Sequence, residues 1–150
     1  MDETSVHLLK LDSAIVSVIE NRIIEIKQCL KGGSSLAGIF LCGSILEGIL
    51  LGIATKNAMA FNQSSQSPKD RDQNVKPLHE WTLNSLINVG HDTGFLGLDV
   101  KKYSHTLRDF RNYIHPYAQV SSGFSPDMHT FKISWHVLKA AMYQISQKVI

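Results

Sequence analysis

From Leu36 to Ala54 nearly every residue is apolar or glycine, and Glu47 is the single charge among them. The stretch is about one bilayer span in length, so it is either a membrane helix or the buried axis of a helical bundle. A carboxylate in mid-hydrocarbon is costly, whereas a bundle tolerates one that meets a cation. The segment also lacks basic or aromatic flanks. The chain opens Met1-Asp2-Glu3-Thr4, acidic and polar, unlike a signal peptide. The expected reading is therefore a central core helix, with no membrane association.

The remaining pattern is helical. Leu8, Leu11, Ile15, Ile19, Ile26 and Leu30 recur at three, four or seven residues and predict a first helix from Glu3 or Thr4 to Leu30. Gly32-Gly33 ends it, and Ser34 or Ser35 can cap the second helix, which is apolar on all sides and runs to about Ala60. Gly38, Gly43, Gly48 and Gly52 within it predict close approach of neighbouring helices, the Gly48–Gly52 pair by tight core packing. Residues 62–76 are almost devoid of apolar side chains and predict a mobile loop. A third helix begins near Pro77 and stops before Gly94, burying Trp81, Leu86 and Val89. Asp99 caps a fourth, which runs to Ile114 or His115. After a loop over Tyr117–Phe124, Ser125-Pro126 starts a fifth, with Phe131, Trp135, Leu138, Met142, Ile145 and Val149 on one stripe. Ile133, Val137 and Ala140 lie on the opposite side and predict a partner surface. No strand-period segment of useful length occurs. The chain reads as one all-α domain over residues 1–150, an up-and-down bundle of four to five helices.

Composition narrows the function. Fifteen Lys and Arg against thirteen Asp and Glu give +2, so any phosphate binding must come from a local cluster. Cys29 and Cys42 belong to no CxxC pair and fit a reducing cytoplasm as small hydrophobes. His79, His91, His105, His129 and His136 show no HExxH or other tight ligand spacing, so no metal and no cofactor is expected.

The fourth helix, VKKYSHTLRDFRNYIHP, carries the chemistry. Val100, Tyr103, Leu107, Phe110 and Ile114 set its core stripe. At about 100° per residue, Arg111, Ser104, His115 and Arg108 fall in one arc along the stripe's edge. Guanidinium groups hold phosphates through paired donors at any relevant pH, and a histidine exchanges protons near neutrality. On a helix C-terminus the partial negative charge favours a protonated His115, and Pro116 makes that end sharp. The same arc equally suits a structural role, with the arginines paired to Glu47, Asp99 or Asp109. Glu47, isolated among apolar residues, needs a cation and is expected to face Arg108 or Arg111.

The segment LRDFRNYIHPY, residues 107–117, resembles the signature of HEPN-fold proteins, small all-α domains of bacterial toxin–antitoxin, abortive-infection and other defence systems. CGSILEGILLG, residues 42–52, resembles the second helix of HEPN-like proteins. The family motif is an arginine, four to six residues, then a histidine. Arg108 to His115 has that spacing, with Asp109 as the polar follower. Arg111-Asn112 resembles the family's Arg-Asn pair but stands only three residues from His115, which leaves open which arginine serves. His115-Pro116-Tyr117 matches an HxY extension.

The resemblance implies a cytoplasmic homodimer and a metal-independent endoribonuclease, with two motifs meeting in a dimer cleft. His115 would act as general acid or base on an RNA substrate, and Arg108 or Arg111 would stabilise phosphate charge. Asn112 or Asp109 would orient these groups, with Glu47 supporting and Tyr117 lining the cleft. It equally implies the alternative of a non-catalytic binding or scaffold module. Its partner would be a nucleotide or a protein, such as a cognate antitoxin or a nucleotidyltransferase-type protein. Arginines held by internal partners away from a cleft would favour the binding module.

Overall fold

The computed structural model describes residues 5–149, and the regular structure among them is helical apart from one isolated antiparallel bridge between Lys69 and Val75. The helices are α1 (Ser13–Gly32), α2 (Ser35–Lys56), α3 (Ala58–Gln63), α4 (Leu83–Asp92), α5 (Leu98–Arg111), α6 (Pro116–Ser122) and α7 (Met128–Lys148). Five are long, in keeping with the four or five expected, and α3 and α6 are short additions of six and seven residues.

The apolar stretch forms α2, which packs against α1, α4, α5 and α7. Ile39, Cys42, Leu46, Ile49 and Leu50 are wholly buried there, each aliphatic side chain contributing about 1.5–3 kcal/mol. By length and composition α2 could cross a membrane, and half of that window is buried inside the fold. Burial, followed by the neighbouring Cys29, pushes the Cys42 thiol up to about 12, so it stays protonated.

The glycines of α2 divide. A Cβ on Gly38 would lie 2.1 Å from the Phe131 ring of α7, one on Gly43 2.9 Å from Arg111 Cδ, and one on Gly52 2.8 Å from Leu11 Cδ2. Close approach is real at those three positions. At Gly48 a Cβ meets nothing within 4 Å, so the Gly48–Gly52 pair is not a packing seam at both ends.

Several boundaries differ from the pattern-based expectation. Glu3 and Thr4 lie outside the described residues, and the chain from Val6 to Leu9 forms a 3₁₀ turn instead of the start of α1. Lys10 then takes a left-handed φ of 53°, with its carbonyl accepting from Lys56 Nζ at 2.5 Å. The turn shifts the register, burying Val6 and Leu9 while Leu8 is exposed. The third helix begins at Leu83, not Pro77. Thr82 caps it by accepting from the Ser85 amide, after a 3₁₀ turn over Leu78–Glu80.

Residues 64–76 form a closed turn, not a featureless loop. Asp70 Oδ1 accepts from the amides of Asp72 and Asn74, and buried Ser64 donates to Asp92 at 2.6 Å. Over residues 117–124 the expected loop is mostly α6, ended by Gly123 at φ 68°. α7 is capped by Asp127 accepting from the Thr130 amide, not by Ser125. That bond holds the Asp127 carboxyl below its usual range.

Candidate functional site

α5 runs between α2 and α4, and the two arginines of its last turn part to opposite neighbours. Arg111 lays its stem over Gly43, where the missing side chain leaves room, and its guanidinium donates to Glu47, one turn further along α2. Both side chains are about one-third exposed, at 37% and 34%. The half-buried Glu47 carboxylate thus finds its cation in Arg111, one of the two expected.

Arg108 faces α4. It donates to Asn84 Oδ1 and, at 2.9 Å, to Asp109 beside it. One turn back along α5, His105 Nε2 lies 2.8 Å from Asn88 Oδ1. The pairing fits an Nε2–H donor, which leaves Nδ1 as a buried lone pair without a partner. Burial, then the charges of Arg108 and Lys101, hold the His105 ring below its usual basicity, opposed by Asp109. Asn84, Asn88, His105 and Arg108 therefore form a polar seam between α4 and α5. Asn84, Asn88 and His105 were not among the expected site residues. In the sequence these residues belong to ordinary polar faces of two separate helices, α4 and α5, and only the packing of the two helices brings them together.

Between the two flanks lies Ser104, fully buried with its hydroxyl unpartnered.

His115 is not on the helix. α5 ends at Arg111, and Asn112–Ile114 tighten into a 3₁₀ turn. His115 takes an extended backbone, φ −90° and ψ 113°, as a residue before proline must when α geometry is blocked. It caps α6 from the N-terminal side, its carbonyl accepting from the amides of Ala118 and Gln119 at 3.0 and 3.2 Å. The argument from a helix C-terminus therefore does not apply: the ring stands at the N-terminal end of α6, exposed to solvent.

Asn112 and Tyr117 are also exposed, Tyr117 at 89%. Phe124 anchors the segment back, stacking on Phe110 at 5.1 Å and against Tyr113 at 5.0 Å.

The arc expected from one continuous helix is thus divided among three places: Arg111 on α2, Arg108 on α4, and His115 on the approach to α6. A groove of about 770 Å³ lies between α1 and α2, lined by residues including Arg22, Glu25, Cys29, Phe40 and Ser44. None of the expected site residues lines it. Among the described residues no three His, Cys, Asp or Glu side chains converge as a metal would require. No protein-family model, curated protein or solved structure matches the chain.

Proposed function

We propose that this chain is a HEPN-like helical module that works by binding a partner, with its arginine–histidine segment serving the fold. The supporting observation is the internal engagement of both arginines. Arg111 completes a half-buried ion pair with Glu47, and Arg108 is held by Asn84 and Asp109. Each guanidinium is thus engaged by partners within the chain, while His115 stands beyond the end of α5 at the start of α6. The proposed setting is cytoplasmic, in a bacterial defence or toxin–antitoxin context. The test is incubation of the purified protein with single-stranded and structured RNA in EDTA. No cutting above that of His115→Ala is expected, and cutting that disappears with His115→Ala overturns the reading.

A second reading is supported by the surroundings of His115. Ile114, Tyr117 and Val120 are 58%, 89% and 78% exposed, an apolar cluster of the kind a partner covers. A second copy seated there would bring two histidines together and make a metal-independent endoribonuclease of the homodimer. Arg108 or Arg111 would then change partners to stabilise the phosphate. Sedimentation at rising concentration separates the two, since the nuclease requires a dimer that Tyr117→Asp and Val120→Asp together dissolve.

A further inference from the structure

α7 is apolar on its core stripe and cationic on the side it turns to solvent. His129, Lys132, Ile133, His136, Ala140 and Tyr143 are exposed and recur at three or four residues, so they make one continuous stripe. α7 contains no Asp or Glu. Lys132 and His136 make no ion pair among the described residues. Lys139 lies beside the stripe with its ammonium 5.6 Å above the Trp135 ring.

Exposed apolar side chains share this face with the cations. Ile133 and Tyr143 are 54% and 59% exposed, as is Tyr103 of α5 at 59%. Tyr103, Phe110, Ile133 and Val137 share a crevice along the α5–α7 seam. Further along, His136, Lys139, Ala140 and Tyr143 border a hollow of about 270 Å³. The charge is local: residues 98–148 carry seven Lys and Arg against three Asp, while the rest of the chain carries eight against ten.

Three occupants compete for such a face. A second copy laid symmetrically on it would bring like-charged stripes together, with no carboxylate on α7 to relieve Lys132. A nucleic acid needs a run of cations tracking its phosphates, whereas here a few cations are interleaved with exposed Ile133, Ala140 and Tyr143. An amphipathic helix with apolar anchors and acidic flanks complements both parts at once.

We propose that the α5–α7 face docks an acidic amphipathic helix of another protein, its apolar anchors on Tyr103, Ile133 and Tyr143 and its carboxylates on Lys132, His136 and Lys139. The inference deepens the binding-module reading and rests on it.

The test uses the full chain and two labelled peptides of about 16 residues, roughly four helical turns. Both carry leucines at the same three- and four-residue spacing, one with glutamates flanking them and one with lysines. Fluorescence anisotropy at roughly 50 mM salt, where exposed charges are weakly screened, should show the glutamate peptide bound at least about tenfold tighter. Lys132→Glu with Lys139→Glu should invert the preference, an inversion that only a folded variant can give. Ile133→Asp should weaken both peptides.

Equal binding of the two peptides overturns the proposal, as does a preference that the double reversal leaves intact. An oligouridine of about 20 nucleotides that binds more tightly than the glutamate peptide, and is lost with the double reversal, also overturns it in favour of a nucleic-acid surface. RNA cutting abolished by His115→Ala would remove the binding-module reading while leaving the peptide preference standing, so the two failures are separable.

Discussion

Around α2, four helices leave Ile39, Leu46, Ile49 and Leu50 without exposed surface, whereas Tyr117 and Val120 on α6 are 89% and 78% exposed. Both regions come from sequence with helical spacing. In the body, each apolar side chain is met by another helix, and glycine lets the backbones close. In the segment from Asn112 to Phe124, helical turns form, and Phe124 ties them to the body by stacking on Phe110. The arginine–histidine motif straddles the two: its arginines belong to the packed body and its histidine to the tethered segment. A motif contiguous in sequence therefore spans two mechanical regimes.

The packed side of the contrast is most sharply broken at Gly38. A methyl group there collides with the Phe131 ring, and Gly38→Ala is expected to cost about 3 kcal/mol, lowering Tm by roughly 10 °C. Gly48→Ala on the same helix meets open space and should raise stability by about 0.5–1 kcal/mol. Thermal unfolding of the two variants reads both signs, and equal effects would refute the division of the glycines.

The next largest effect lies where the regimes join. Glu47→Gln leaves the Arg111 guanidinium half-buried without a counter-charge, at an expected cost of about 1 kcal/mol after allowing for its exposure. A urea double-mutant cycle with Arg111→Gln should return a coupling of similar size.

Phe124→Ala tests the tether. Loss of the stack is expected to cost about 0.5–1 kcal/mol, and its signature is local. Amide exchange should quicken across residues 112–123 and stay unchanged in α2.

The smallest effect is one of pH. The His105 ring is held below its ordinary pKa of 6.5 in the fold, so the unfolded chain takes up its proton first. Stability contributed by the neutral ring is complete above that value and is lost as pH falls through it towards the lower folded pKa. Urea midpoints should therefore drop from about pH 7.5 to about pH 5.5, and His105→Gln should flatten the slope.

Much of the body was legible in sequence. The all-round apolarity of α2 marked it as the axis, Gly33 marked the end of α1, and the three-four stripe of α7 named Phe131, Leu138, Met142 and Ile145 as core. Glu47 announced its need for a cation because an unpaired charge in that setting is untenable.

What escaped was set by competition between local preferences. Leu8 continues the apolar spacing of α1, yet the 3₁₀ turn before Lys10 buries Val6 and Leu9 instead. The spacing predicts a helix that reaches Ile114 or His115 and ends sharply at Pro116, whereas Pro116 drives His115 itself out of helical geometry. That single displacement takes the histidine off the helix that carries the arginines. The seam of Asn84 and Asn88 against His105 and Arg108 carried no spacing signal of its own, because each half is an ordinary polar helix face until α4 and α5 meet.

The contact between Gly38 and Phe131 also orders events in time. α2 is synthesised before α7, the helix that seats Phe131 against it, which is completed more than seventy residues later. Through that interval the growing chain carries an apolar helix of bilayer length whose last wall has yet to be made. A ribosome stalled ahead of Met128 would display that surface, the kind of exposed apolar helix that chaperones shield and aggregates recruit. α7 in this sense closes the core around α2, and its loss would show as a solubility defect before any lost contact could be read as a lost function.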